Sequence, residues 1–229
     1  PALDEEAAIG DVLDAIPRPL VRRIVVCDNG SKDRTAEVAR AHGAIVVEEP
    51  RRGYGAACLR ALRALESDPP DAVLFLDADR SDDPSEAPRV LAPILDGRAD
   101  LVIGSRVLGQ REPGALTPQA RFGNWLATRL LSILYGVRYT DLGPFGAVRW
   151  EGLRSLGMRD PDFGWTVEMQ IKAARAGLRS VEVPVRYRRR VGRSKISGTM
   201  MGTVRAGWKI LATIAADSAR HGIGRRPPP

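Results

Sequence analysis

Short apolar runs alternate with longer amphipathic segments along the first half of the chain. The apolar runs are rich in Val, Ile and Leu and end at polar turn residues, which is typical of strands. We predict strands at Arg22–Cys27, Ala44–Val47, Ala72–Leu76 and Leu101–Ile103, and helices at Ile9–Ile16, Thr35–Ala41, Gly55–Leu65 and Pro84–Leu95. Strands and helices that alternate in this order favour parallel pairing in an α/β layer.

The pattern changes after residue 110, where long helical periodicities dominate. One alternating run contains Pro184, which favours a strand at a sheet edge. We predict helices at Gln119–Tyr135, Thr166–Ala176 and Met200–Ala216, and strands at Phe145–Trp150 and Leu178–Arg188. The segment His221–Pro229 is predicted to be a disordered tail.

The composition is that of a soluble globular protein. The 229 residues are 44% apolar and 28% charged, which fits one domain with a substantial core. No stretch approaches the roughly 18 consecutive apolar residues of a membrane-spanning helix, and no signal peptide is visible. Cys27 and Cys58 lie in or beside apolar runs, so we expect buried free thiols in a reducing, cytoplasmic setting. Because the chain begins at Pro1 rather than Met, we expect further residues upstream.

Positive charge is concentrated near the carboxyl end. The net charge is +7, and residues 186–195 carry six positive side chains. Such a cluster attracts nucleic acid, anionic lipid headgroups or phosphorylated substrates, and it is equally compatible with a solvated loop. Nucleic acid is the least favoured of these ligands, because the chain has only 5% aromatic residues and no helix-turn-helix or zinc-finger spacing.

The predicted strand Ala72–Leu76 leads directly into Asp77-Ala78-Asp79. Alternate residues of a strand point to the same side, so both carboxylates can face a ligand at the carboxyl end of the sheet. Mg²⁺ or Mn²⁺ bound to a diphosphate is the simplest such ligand, since hard cations take oxygen ligands and keep substrate phosphates in their shell. An Asp-rich turn without a ligand is the alternative interpretation of the same residues.

Five short motifs follow one another in order, most of them at strand ends: Pro1–Glu5, Val26–Asp33, Arg51–Ala56, Asp77–Asp79 and Gly104–Arg106. Thr140-Asp141, Glu168 inside a helix and Gly192–Lys195 continue the series. Over about residues 1–200 the chain thereby resembles the family 2 glycosyltransferases, most of all the polyprenyl-phosphate sugar transferases of the dolichol-phosphate mannose synthase type. The resemblance implies a GT-A (Rossmann-like) α/β domain over residues 1–200, with a mixed, mostly parallel sheet flanked by helices. It also implies that the family's first strand is missing before Pro1. A C-terminal amphipathic helix at 200–220 and the tail at 221–229 would follow.

On the donor side, the resemblance implies a site for a UDP- or GDP-linked sugar with a divalent metal. Asp28 would contact the base, Asp79 and Asp77 would ligate Mg²⁺ or Mn²⁺, and Arg106 would neutralise a phosphate or form a surface salt bridge. The Gly-rich loop from Arg51 could approach phosphates through its backbone amides. The implied nucleotide-binding residues are Pro1, Leu3, Glu5, Asp28, Arg52, Gly53, Asp77, Ala78 and Arg106.

On the acceptor side, the resemblance implies a polyprenyl phosphate and a direct displacement with inversion. Arg190 and Lys195 would grip phosphates from a mobile lid, as Arg and Lys side chains do elsewhere. Asp141 would orient the sugar or act as a base. Glu168 would be a second candidate base or a helix residue with an ion-pair partner. A phosphate nucleophile is ionised near neutral pH and needs no strong base, whereas a sugar hydroxyl needs a carboxylate within reach.

Several residues depart from the family pattern, among them Asp4 in place of the usual Asn and the run Gly143–Arg149. Most of these departures lie on the acceptor side, so a soluble hydroxyl or phosphorylated small-molecule acceptor stays open. A non-catalytic phosphate- or nucleic-acid-binding module and a nucleotidyltransferase are further alternatives. For a lipid acceptor, we expect amphipathic helices and the basic cluster to hold the protein at the cytoplasmic membrane face.

Overall fold

A computed structural model describes residues 1–192 and 200–222, without the side chains of 200–206 and 221. Lys195, Arg193 and Ser194 lie outside the described residues, as does most of the predicted tail. The helices are α1 Glu6–Asp14, α2 Thr35–Ala41, α3 Tyr54–Arg63, α4 Ala87–Leu95, α5 Pro118–Tyr135, α6 Trp150–Leu156, α7 Trp165–Arg175 and α8 Met200–His221. The strands are β1 Val25–Asp28, β2 Ile45–Glu48, β3 Ala72–Phe75, β4 Leu101–Ser105, β5 Gly146–Arg149 and β6 Ser180–Pro184, and a 3₁₀ turn at Pro84–Glu86 precedes α4.

The strands form a two-stranded sheet of β1 and β2 and a four-stranded sheet in the order β3-β5-β4-β6. β1 pairs parallel with β2, and β4 pairs parallel with β6. β5 lies antiparallel between β3 and β4, so the other three strands of that sheet run in one direction. The expected mixed α/β arrangement is confirmed, with two parallel and two antiparallel pairings, and β6 with Pro184 is at the edge as its sequence indicated.

The two strands predicted in the second half of the chain are shorter than expected. The strand predicted at Phe145–Trp150 ends at Arg149, and Trp150 begins helix α6, which the sequence analysis missed. The strand predicted at Leu178–Arg188 keeps only Ser180–Pro184, since Pro184 donates no hydrogen bond. The alternating residues beyond it make isolated bridges, with Tyr187 opposite Asp82 and Arg111.

Helices cover both faces of the sheets. One core contains Leu131, Tyr135, Trp165 and Ile214, where α5, α7 and α8 pack together. A second lies between α4 and the four-stranded sheet, and a third joins the N-terminal residues to β1 and α2. Cys27 and Cys58 are buried free thiols, as predicted, and burial raises their pKa values to about 11 and about 12. Among the described helices, none has both the length and the apolar character needed to cross a bilayer.

Candidate active site

The D-x-D turn, defined here as Asp77–Asp79, lies just beyond the end of β3. Asp79 is buried, and its Oδ1 accepts hydrogen bonds from the amide (2.9 Å) and the hydroxyl (2.5 Å) of Ser81. Arg80 has a φ of 67°, in the left-handed region that non-glycine residues seldom adopt. Residues held in such conformations cluster at functional sites, because the surrounding contacts must offset the strain.

Three carboxylates, those of Asp77, Asp79 and Asp82, lie near one another at this strand end. Burial, with Asp79 nearby, raises the pKa of Asp77 to about 6. Burial and then Asp77 raise the pKa of Asp82 well above its usual range. Asp82 is 1% exposed, and its Oδ1 has no hydrogen-bond partner among the described residues. Such a concentration of carboxylates around an unsatisfied oxygen suits a cation, or a ligand that brings one.

Arg190 is a cation that the chain itself places against the D-x-D turn. Its Nη1 lies 3.2 Å from Oδ2 of Asp79, and its Nη2 donates to Oε1 of Glu5 at 2.8 Å. The segment after β6 runs along the turn, since the amide of Val191 donates to the carbonyl of Asp79 at 2.9 Å. In the part of the chain that the structure describes, the buried Nε of Arg190 has no partner. Arg190 thus connects a predicted nucleotide-pocket residue with a predicted metal ligand.

The N-terminal segment lies beside the end of β1. The amide of Ala2 donates to the carbonyl of Cys27, and the amide of Asn29 donates to the carbonyl of Ala2, both at 2.9 Å. Asp28 is buried there and accepts from the amide (3.0 Å) and hydroxyl (2.5 Å) of Ser31. Ala78 packs against the apolar cluster that contains Ala2. The fold therefore brings together the predicted residues Pro1, Leu3, Glu5, Asp28, Asp77, Ala78 and Asp79.

The Gly-rich loop before α3 is fixed beside the same strand end. The amide of Gly53 donates to Oδ1 of Asn29 at 2.9 Å, and Arg52 donates from Nη2 to the carbonyl of Gly30 at 2.8 Å. Gly53 has a φ of 146°, and a Cβ there would lie 2.2 Å from the carbonyl oxygen of Pro161. Only glycine fits so close to another backbone, so this loop is held in place at the N-terminus of α3.

Arg106 and Asp141 form a buried ion pair between the end of β4 and the loop before β5. Asp141 accepts from Nε (2.8 Å), Nη2 (2.7 Å) and the amide (2.7 Å) of Arg106, and from the amide of Leu142 (2.8 Å). The side chains are 13% and 0% exposed, so the pair is not the surface salt bridge that was the alternative for Arg106. Burial lowers the pKa of Arg106, but Asp141 outweighs it and raises that pKa above the usual value. The guanidinium also stacks over the ring of Tyr187, 5.0 Å from its centre.

Two residues that the sequence analysis missed support the Asp141 loop. Glu182 accepts from the amide of Thr140 at 2.8 Å and from the amide of Asp141 at 3.1 Å. Asn124 of α5 donates to the carbonyl of Thr140 and accepts from the amide of Leu142, both at 2.9 Å. An acidic residue between two valines of a strand was the available signal for Glu182, whereas an Asn within a long helix gave none.

Glu168 stands apart from the D-x-D turn in its contacts. Its carboxylate accepts from the amides of Arg159 (3.1 Å) and Asp160 (2.8 Å) and lies 2.8 Å from Nζ of Lys172. These contacts match the ion-paired helix residue that was one of its two interpretations. Its role as a catalytic base stays a prediction, as do the catalytic roles of Asp141, Arg190 and Lys195.

The residues at the D-x-D turn suit a hard divalent cation whose coordination is completed by a ligand. Within residues 1–192 and 200–222, no three His, Cys, Asp or Glu side chains are arranged to hold a metal ion by themselves. Asp77 and Asp79 supply carboxylate oxygens only, which is the donor chemistry that Mg²⁺ and Mn²⁺ take together with water and substrate phosphates. The geometry therefore fits a metal that arrives with a diphosphate.

A family model described as glycosyl transferase family 2 matches residues 1–155. An uncharacterised glycosyltransferase of Mycobacterium tuberculosis is 38% identical over 218 residues, which cover 93% of this chain and 95% of that protein. A dolichyl-phosphate hexose transferase of Haloferax volcanii is 37% identical over 197 residues, covering 84% and 82%.

The shape of the chain is also that of a solved glycosyltransferase. The crystal structure of glucosyl-3-phosphoglycerate synthase from Mycobacterium tuberculosis, in complex with Mn²⁺, UDP and glucosyl-3-phosphoglycerate, superposes with a TM-score of 0.74 at 28% identity. The match covers 97% of this chain and 78% of the synthase. The relatives therefore include one named for a lipid-phosphate acceptor and one crystallised with a soluble phosphorylated product.

Proposed function

The chain belongs to glycosyl transferase family 2, and we propose that it moves a hexose from a nucleotide-diphosphate sugar to a polyprenyl phosphate, with a divalent metal and with inversion. It is a glycosyltransferase of GT-A fold, as the sequence indicated. The observation that carries the proposed acceptor is the buried Arg106–Asp141 pair, in which both carboxylate oxygens already accept hydrogen bonds.

The donor half of the proposal uses the residues around the ends of β1 and β3. Asp28 would accept from the base, the loop at Gly53 would lie against the phosphates, and Asp77 and Asp79 would hold the metal. The metal would supply Lewis acidity that stabilises charge on the departing diphosphate. Arg190 would exchange its contacts with Glu5 and Asp79 for phosphate oxygens, because a guanidinium binds phosphate bidentately.

The acceptor half of the proposal follows from the contacts of Asp141, which make it a poor general base. A general base must offer an unshared oxygen to the proton it removes. Among the described residues, the Asp141 carboxylate contacts only donors of the protein itself, and releasing it would leave Arg106 buried without its partner. A phosphate monoester needs no such base, since its oxygens are already ionised near neutral pH. The name of the Haloferax volcanii relative supports the same acceptor class.

A soluble phosphorylated acceptor is the second candidate, and the solved synthase structure favours it. A phosphorylated acid would use its phosphate only for binding and would attack through a hydroxyl. That reaction requires a base, so it demands rearrangement of Asp141 or a role for Glu168. Both candidates share the requirement for cationic side chains at the acceptor phosphate.

Calorimetric titration with UDP and GDP, with and without Mn²⁺, tests the donor site. We expect one nucleotide to bind in a metal-dependent manner, and Asp79→Ala to abolish that binding. Asp96→Ala removes a carboxylate from the exposed end of α4 and should leave it unchanged. Transfer assays with a polyprenyl phosphate and with 3-phosphoglycerate then separate the two acceptors. Absence of nucleotide binding by a folded protein would refute the proposed function.

A further inference from the structure

Helix α5 carries a cluster of large apolar side chains on its outer surface. Phe122, Trp125 and Ile133 are 62%, 59% and 63% exposed. At helical spacing these three positions fall within one face, and the rings of Phe122 and Trp125 contact each other with centres 5.8 Å apart. Single exposed apolar residues are ordinary, but three large ones on one helix face, two of them in contact, indicate a surface that something covers. These three residues are called the α5 aromatic face below.

The charged side chains of helix α5 are all positive. Arg121 and Arg129 are exposed on the same helix, and Arg138 is exposed just beyond it. Helix α5, Pro118–Tyr135, contains no Asp or Glu at all. Any covering surface must therefore accept aromatic rings and at the same time supply negative charge.

The α5 aromatic face adjoins the proposed acceptor side. Asn124 lies between Phe122 and Trp125 in sequence, and its side chain binds both sides of the Asp141 loop. Asp141 in turn holds Arg106 at the end of β4. Only helix α5 therefore separates a partner on this face from the loop that we assign to the acceptor.

A second copy of the chain fits this surface poorly. A two-fold dimer through α5 would place the arginines of both copies in one interface, and no acidic residue of α5 could neutralise them. An anionic bilayer meets both requirements. Aromatic side chains settle at headgroup depth, while arginines bind lipid phosphates at the same level.

We propose that the α5 aromatic face docks on an anionic lipid bilayer and brings the Asp141 loop to the headgroup layer. This inference rests on the proposed function, since a polyprenyl phosphate presents its phosphate at that layer. It goes further by assigning the contact to one helix and by giving Arg121, Arg129 and Arg138 a ligand, the anionic headgroups.

Co-sedimentation with vesicles tests the proposal directly. We expect the full chain to bind phosphatidylcholine–phosphatidylglycerol vesicles and to bind pure phosphatidylcholine much less. Trp125→Glu should lower the partition coefficient by more than about tenfold, and Arg129→Gln should lower it about fivefold. Leu95→Glu, which changes an equally exposed leucine at the end of α4, and Arg154→Gln on α6 are the matched controls and should bind as the wild type does.

Three outcomes overturn the proposal. The first is wild-type protein that stays in the supernatant, and the second is control variants that lose binding as Trp125→Glu does. The third is a dimer in sedimentation velocity without lipid that Trp125→Glu dissociates. Nucleotide titration of the same samples separates this inference from the proposed function. Vesicle binding without nucleotide binding removes the proposed function and leaves the docking face, whereas the reverse result removes the docking face alone.

Discussion

Replacing Asp141 by Ala tests whether this carboxylate is a structural anchor or a free base. The substitution removes the acceptor of four hydrogen bonds, three of them from Arg106. Arg106 is then left with a guanidinium that is only 13% exposed and lacks its counter-ion. Breaking a buried ion pair from one side costs about 3–5 kcal/mol, because the remaining charge stays desolvated.

The expected effect is large relative to the stability of a whole domain, which is about 5–15 kcal/mol. Urea unfolding measures it. At an m-value of about 2 kcal/mol per molar, the midpoint should fall by about 1.5–2.5 M. Asp96→Ala is the matched control, since Asp96 pairs with Arg98 through Nε and Nη2 while both side chains stay more than half exposed. An exposed pair of this kind contributes less than about 1 kcal/mol.

The double variant Arg106→Met, Asp141→Leu tests whether the lost stability comes from the unpaired charge. Because it removes both charges and keeps apolar volume, we expect it to recover much of the stability that Asp141→Ala loses. The reasoning would be refuted by Asp141→Ala unfolding within about 1 kcal/mol of the wild type while turnover disappears. That result would mean that Asp141 acts on the substrate and that the ion pair contributes little.

Three further predictions concern separate contacts. Glu168→Gln should keep most of the turnover, because its contacts are to backbone amides and Lys172; a fall of about a hundredfold or more at unchanged stability would instead identify a general base. Arg190→Gln should strengthen Mn²⁺ binding without nucleotide, measured by electron paramagnetic resonance, since Asp79 loses a competing cation at 3.2 Å; weaker binding would contradict this. The hydrogen bond from Arg179 lowers the pKa of Asp100 in the folded protein. Ionised Asp100 therefore stabilises the fold above the usual pKa of 3.8, and this stabilisation is lost as the pH falls through the lowered pKa of the folded state. Asp100→Asn should therefore reduce the loss of stability, followed by urea unfolding, between neutral pH and about pH 3.

The sequence predicted the layered part of the fold well, because that part depends on local periodicity. β1 to β4 and the helices between them fall at or near the predicted segments, and α2 matches residue for residue. Helix α6 was missed because Trp150 follows the apolar residues of β5 without a turn between them. The strand predicted at Leu178–Arg188 was too long at its carboxyl end. Its alternating pattern continues after pairing has ended, so the pattern records burial rather than hydrogen bonding.

In the candidate site, too, local arrangements could be predicted and contacts between distant residues could not. Asp77 and Asp79 are neighbours in sequence, so their closeness could be predicted, although they lie in a turn after β3 and not in the strand itself. Arg106 and Asp141 are separated by 35 positions, and each was predicted to face a substrate rather than the other. Pairings between distant side chains depend on how the strands are ordered, and the insertion of β5 between β3 and β4 is what brings this loop to the end of β4.

The two candidate acceptors make opposite demands on that loop. A hydroxyl acceptor requires a carboxylate that can take up a proton, and Asp141 meets this only if Arg106 releases it. A phosphate acceptor requires no such base, and the loop is already held in place by Arg106, Glu182 and Asn124. The carboxylates of Asp141 and Glu182 are committed to Arg106, to Thr140 and to backbone amides, so neither is well placed to serve a substrate that needs a base. The phosphate of a lipid at the proposed α5 docking face would be its own ionised nucleophile, and this reaction would require no rearrangement of the residues that hold the loop in place.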